Sequence, residues 1–207
     1  MKKKHKNRFR TEWGFSLVEL VIVVFVAMVI AAIAIPNVLL AVTNLKLRAS
    51  AGDLAGLMQQ ARILAAKNNT PYVLLYGTRN GAQIAYIRDP RNGLGSYVTL
   101  EPLIQFSGST VPASGAPSGG GGQPSPYVLA GDTGTGSYDN TKTLGYTGRG
   151  LPCNYDTTTT PACSTPPALY FVYYLTVTRV GRPGWAAVVV TKSGRCKVVT
   201  WNGATWN

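Results

Sequence analysis

From Leu20 to Ile35 every residue is apolar, reading LVIVVFVAMVIAAIAI. With Phe15 to Glu19 added, the stretch is long enough to cross a bilayer as a helix, which takes about 20 residues. A helix apolar on all sides has no face for water, so it belongs in lipid or among other helices. Just before it lies a basic block: Lys2, Lys3, Lys4, Lys6, Arg8 and Arg10 against Glu12. Such a block stays cytoplasmic by the positive-inside rule. The expected orientation puts the N-terminus inside and everything after Pro36 outside the cytoplasm. The block carries +5 of the formal +12, so the remaining chain keeps +7.

An ordinary secretory signal places its small-residue cleavage site after the apolar region. Here the glycine comes before it, in Trp13-Gly14-Phe15-Ser16-Leu17-Val18-Glu19. The segment GFSLVEL, with its basic leader and apolar run, resembles the prepilin motif of type IV pilins and type II secretion pseudopilins. The resemblance implies a cytoplasmic leader over 1–14, removed by a membrane prepilin peptidase between Gly14 and Phe15. It also implies N-methylation of Phe15, and Glu19 as the glutamate at the fifth position of the mature chain. Pro36 matches the family's helix-kinking proline. A carboxylate at the edge of a membrane helix is costly and usually has a partner. In this family the partner is the N-terminus of a neighbouring subunit, which fixes axial register. Without a partner, Glu19 would snorkel to the interface.

The helix is expected to run from Phe15 to about Asn68, about 80 Å at 1.5 Å per residue. Residues 15–36 form its membrane or assembly part and 37–70 an amphipathic part. Leu54, Leu57, Met58, Ala61, Leu64 and Ala65 repeat at the spacing of one buried face. Lys46, Arg48, Gln59, Gln60 and Arg62 fall mainly on other faces. Asn68-Asn69-Thr70-Pro71 is a stop.

Residues 71–207 read as a β-rich head. Asn80-Gly81 between two apolar runs signals a hairpin. Short strands are expected at 97–100 and 103–106, and stronger ones at 169–179, 185–191 and 196–201. Residues 107–168 read as an insertion: a flexible Gly/Ser/Pro-rich stretch to 126, then mixed loop and turn. One long helix followed by an antiparallel sheet is an α+β plan. The Leu-Gly-Tyr-Thr-Gly-Arg-Gly-Leu-Pro stretch at 144–152 and the Ser193-Gly194-Arg195-Cys196-Lys197 turn resemble the GspH/FimT branch of the pilin superfamily.

Catalytic signals are lacking. The sole histidine, His5, lies in the leader, and no Walker or dinucleotide glycine pattern occurs. The chain is expected not to be an enzyme and to need no cofactor. Asp132 and Asp139 bracket a Gly/Thr loop that offers oxygen ligands to calcium, though two carboxylates fit a solvated loop better. Cys153, Cys163 and Cys196 are the three cysteines. Cys153 and Cys163 flank a Pro/Thr-rich loop and could close it with a disulfide, in keeping with an oxidising compartment. The alternative is three free thiols.

No Asp or Glu occurs from Thr157 to the end, whereas Arg179, Arg182, Lys192, Arg195 and Lys197 do, with Trp185, Trp201 and Trp206 among them. Basic surface attracts phosphates without sequence preference, and aromatic rings add stacking platforms. FimT-type minor pilins bind DNA through a C-terminal Gly-Arg-x-Arg motif, and Gly194-Arg195-Cys196-Lys197 is similar. Lysine in the last place keeps the charge but loses the bidentate fork. The resemblance implies Arg195 and Lys197 as DNA contacts, and the basic bias at the strand turns adds Arg182 and Lys192; otherwise they form a plain basic face, or one that meets other subunits.

Three readings follow. The first is a minor pilin or pseudopilin anchored in the bacterial inner membrane, its head in the periplasm or on an extracellular filament. Its partners would be other pilin subunits, the prepilin peptidase and the membrane. The second is a minor pilin that captures DNA for uptake. The third is an exported adhesin or enzyme on a pilin-type anchor.

Overall fold

The structure, a computed structural model, describes residues 15–89, 93–106, 142–156, 162–164, 171–177 and 184–207. It divides into a unit up to Val42 and a compact unit Thr43–Asn207. Helix α1, Leu17–Asn68, runs through both.

In the first unit α1 opens with Leu20 N donating to Ser16 O at 3.1 Å. Its apolar side chains face outward among the described residues: Leu17, Val21, Phe25 and Ile33 are all exposed. The helix is long and apolar enough to cross a membrane. Pro36 lies inside it. Proline has no N–H to give the preceding turn. One residue on, Asn37 Nδ2 donates to Ile33 O at 3.2 Å, adding a side-chain bond to that turn.

In the second unit α1 ends as the sequence indicates. Asn69 takes φ of 46°, and Thr70 N donates to Ala65 O at 3.2 Å. That is a Schellman-type closure with asparagine in the left-handed position. The buried stripe is Leu47, Ser50, Ala51, Leu54, Leu57, Met58, Ala61 and Ala65. Leu64 packs at its margin.

The head carries β1 Tyr72–Arg79, β2 Ala82–Asp89, β3 Gly93–Thr99, β4 Ile104–Phe106, β5 Lys142–Tyr146, β6 Pro152–Asp156, β7 Ala162–Ser164, β8 Phe171–Val177, β9 Gly184–Val190 and β10 Cys196–Thr200. The chain is α+β, with α1 packed on antiparallel sheets. Asn80 and Gly81, both at positive φ, join β1 to β2 with Arg79 opposite Ala82. This is the two-residue hairpin that Asn-Gly encodes.

Two features differ from the sequence reading. The strands form two sheets, ordered β3-β2-β1-β5-β6-β7 and β10-β9-β8-β4. The chain changes sheet between β3 and β4 through a turn in which Ile104 N donates to Glu101 O at 3.0 Å. Also, the 142–164 portion of the stretch read as insertion contains β5, β6 and β7. These strands are short and carry Gly145, Pro152, Asn154 and Asp156, residue types depleted in strands, so local propensity is weak. Pairing in sequence forms them instead: β5 on β1, with Tyr72 opposite Tyr146 and Val73 opposite Gly145, then β6 on β5 and β7 on β6. A disulfide joins Cys153 and Cys163, Cα atoms 5.4 Å apart, across the β6–β7 pair.

One face of α1 and the inner faces of both sheets share a core. Leu54, Met58 and Ala61 meet Leu74 and Tyr76 of β1, Leu144 and Tyr146 of β5, Tyr173 and Leu175 of β8, and Val188 of β9. A smaller cluster lies on the other face of the second sheet. There Val172, Tyr174, Trp185, Ala187 and Val199 pack with Trp201 and Trp206. The end of the chain folds back to reach it, with Thr200 and Asn207 exchanging backbone hydrogen bonds of 2.8 and 3.0 Å.

Candidate functional site

Two hairpin turns, one from each sheet, have the same construction. Between β5 and β6, Gly150 N donates to Thr147 O at 2.7 Å and Thr147 N to Leu151 O at 2.8 Å. Between β9 and β10, Gly194 N donates to Thr191 O at 2.8 Å and Thr191 N to Arg195 O at 2.9 Å. In each, the threonine hydroxyl also accepts the N–H four residues on, from Leu151 at 3.3 Å and from Arg195 at 3.1 Å. Gly150 and Gly194 hold φ of 72° and 78°. These are three-residue loops in which a glycine takes the left-handed position.

The two turns meet on α1. Arg62 Nε donates to Gly150 O at 3.1 Å, and its Nη1 reaches Gly194 O at 3.5 Å. Gln59, one turn earlier on the same face, donates from Nε2 to Gly194 O at 3.2 Å. A Cβ on Gly194 would lie 3.1 Å from Arg62 Nε and 3.3 Å from Gly150 O, so the two backbones are in contact. Arg62 is half-buried and is satisfied here by carbonyls, which do not cancel its charge.

This places basic side chains together. Arg149 on the first turn, and Lys192, Arg195 and Lys197 on or beside the second, are all exposed. No Asp or Glu occurs in 140–155 or 157–207. Arg182, Asp132 and Asp139 lie outside the described residues, as does Gly14. Among the described residues no group of His, Cys, Asp and Glu could hold a metal ion.

Lys197 belongs to the outer face of β10 with Val199 and stands opposite Val189 of β9. Cys196, its neighbour, turns inward against the core. Burial pushes the Cys196 thiol up from its ordinary value, opposed only in part by the neighbouring polar groups of Gln59 and Tyr146 and by the Arg62 charge. An inward thiol held protonated is a poor nucleophile. Tyr146 faces it, and burial raises that phenol far above the usual range as well.

In the first unit Phe15 and Glu19 are exposed, Phe15 at 76%. Glu19 lies in the first turn of α1, where a carboxylate suits the helix dipole. Ser16 precedes the helix and Glu19 is three residues on, the spacing of a capping box. Between Phe15 and Leu45 Glu19 is the only charged residue.

Sequence reasoning missed Arg149 and the parts played by Gln59 and Arg62. The repeated Thr-x-x-Gly pattern, Thr147-Gly-Arg-Gly150 and Thr191-Lys-Ser-Gly194, was the available signal for the paired turns. No protein-family model, curated protein or solved structure matches this chain.

Proposed function

We propose that this chain is a pilin-like subunit, a minor pilin or pseudopilin, that assembles through the N-terminal part of α1 after cleavage between Gly14 and Phe15. The observation that carries this reading is the first unit itself. Its apolar side chains are exposed along the whole run, and Glu19 alone interrupts the apolar character at one end. Lipid satisfies such a surface before assembly, and neighbouring helices of the same kind satisfy it afterwards. The GFSLVEL segment supplies the processing site. The head, with its own core, is the part presented outside the membrane.

A photo-crosslinking residue at Val24, in cells that make a prepilin peptidase and related subunits, tests this. The reading expects adducts between apolar helices of subunits, dependent on cleavage between Gly14 and Phe15. Adducts to lipid alone under assembly conditions would contradict it.

A second reading is supported by the clustered cations of the paired turns. Arg195, Lys192 and Lys197 make the head a nucleic-acid-binding module, as in a pilin that takes up DNA. Phosphate binding of this kind weakens steeply with salt.

A further inference from the structure

We infer that Arg62 is a positioning residue: it locks the β5–β6 and β9–β10 turns into one polyphosphate-binding surface, in which Arg149 acts together with Lys192 and Arg195. The inference rests on the nucleic-acid reading above and adds the residue from the other sheet and the device that places it. Three observations carry it. The turns come from different sheets, and β5 and β6 are not neighbours of β9 or β10 in either. Sheet pairing therefore does not set the distance between the turn tips. The Arg62 guanidinium bridges the two turns where they touch, with the Gly150 carbonyl at 3.1 Å and the Gly194 carbonyl, which Gln59 also holds at 3.2 Å, at 3.5 Å. Each clamped glycine is next in sequence to an exposed arginine, Arg149 before Gly150 and Arg195 after Gly194.

The chemistry of the clamp matters. Guanidinium presents several N–H donors in a fixed plane, whereas an ammonium is a point donor on a flexible stem. Two carbonyls held in register need the fork. Lysine at 62 keeps the charge and loses the register. A duplex places phosphates at regular spacing along its strands, so a rigid pair of turns recognises that spacing where two loose turns do not. Acidic protein, with irregular charge, gains nothing from the lock.

The test is binding of the full-length chain, in a zwitterionic detergent, to a short fluorescein-labelled DNA duplex across a salt series. Arg149→Ala and Arg195→Ala should each weaken binding and lower the slope of log K against log salt by about 1. Arg62→Lys should weaken binding severalfold although no charge is removed. In the Arg62→Lys background, Arg149→Ala should cost less than in the wild type. Amide exchange at Gly150 and Gly194 should quicken in Arg62→Lys.

Loss of binding in Arg195→Ala with Arg149→Ala unchanged leaves the nucleic-acid reading standing and overturns the joint surface. Wild-type affinity in Arg62→Lys overturns the positioning role. Failure of the wild type to bind at low salt removes the nucleic-acid reading, and this surface with it. Competition by polyglutamate as effective as by polyphosphate assigns the turns to an acidic protein instead.

Discussion

Gly148 lies flush against Asn69: a Cβ at 148 would stand 2.6 Å from Asn69 Oδ1 and 2.8 Å from its carbonyl carbon. The β5–β6 turn therefore rests on the last turn of α1 with no room for a side chain. Asn69 cannot yield easily, because its left-handed conformation closes the helix. Gly148→Ala should destabilise the head by about 1–3 kcal/mol, the usual cost of overpacking, and thermal unfolding of the full chain in detergent would show it. Gly52 and Gly56 are the contrast. Both are helical, and a Cβ added at either would meet nothing within 4 Å among the described residues. Alanine at either should stabilise by about 0.5–1 kcal/mol.

The disulfide between Cys153 and Cys163 closes a loop with a sequence separation of 10. Linking a loop of that size restricts the unfolded chain and is worth about 2–3 kcal/mol. Reductant should lower the melting temperature of the wild type and of Cys196→Ser. The Cys153→Ser/Cys163→Ser pair should melt lower from the start and ignore reductant.

Several buried acids have folded values above their ordinary ones, all through desolvation first. They are Cys196, Tyr76, Tyr146 and Tyr174, the last pushed up to about 12. Each keeps its proton in the folded state at a pH where the unfolded chain releases it. Their contribution is thus complete below the ordinary value and is lost as pH climbs above it, by up to about 1.4 kcal/mol per unit for each group. Unfolding free energy should be flat with respect to these groups up to about pH 8.5, then fall through about pH 9 to 11. Cys196→Ala should delay the onset. Rapid alkylation of native Cys196 at neutral pH would contradict a partly buried, protonated thiol.

Glu19 separates two roles by charge. As one side of a capping box, glutamine serves nearly as well. As the partner of a neighbouring subunit's positive N-terminus, only the carboxylate serves. Glu19→Gln should therefore impair assembly as severely as Glu19→Ala, while both leave helix content within the small change that losing a cap brings. Assembly by the glutamine variant at the wild-type level would reduce Glu19 to a cap.

Much of the architecture was legible because local signals agreed with the global fold. The apolar run, the Leu54 to Ala65 spacing and Asn68-Asn69-Thr70-Pro71 describe α1. Asn80-Gly81 marks the first hairpin, and the apolar, β-branched character of 171–177, 184–190 and 196–200 marks the last strands. What failed depends on distant partners. β5 is held by β1, and β6 by β5 and a disulfide to β7, rather than by their own propensity. The switch of β4 to the second sheet leaves no local trace. Arg62 looked like a solvated position because its two acceptors lie 88 and 132 residues away in sequence.

In the proposed pilin-like reading, assembly through α1 depends on processing at the N-terminus, and the mass of the N-terminal peptide reports it. The chain should be expressed with a prepilin peptidase, recovered from membranes and its N-terminal peptide weighed by mass spectrometry. The expected product begins at Phe15 and carries one added methyl group on its amine, and Gly14→Glu should stay uncleaved. A wild-type chain that keeps residues 1–14, or one cut on the far side of the apolar run, would contradict the pilin-like reading.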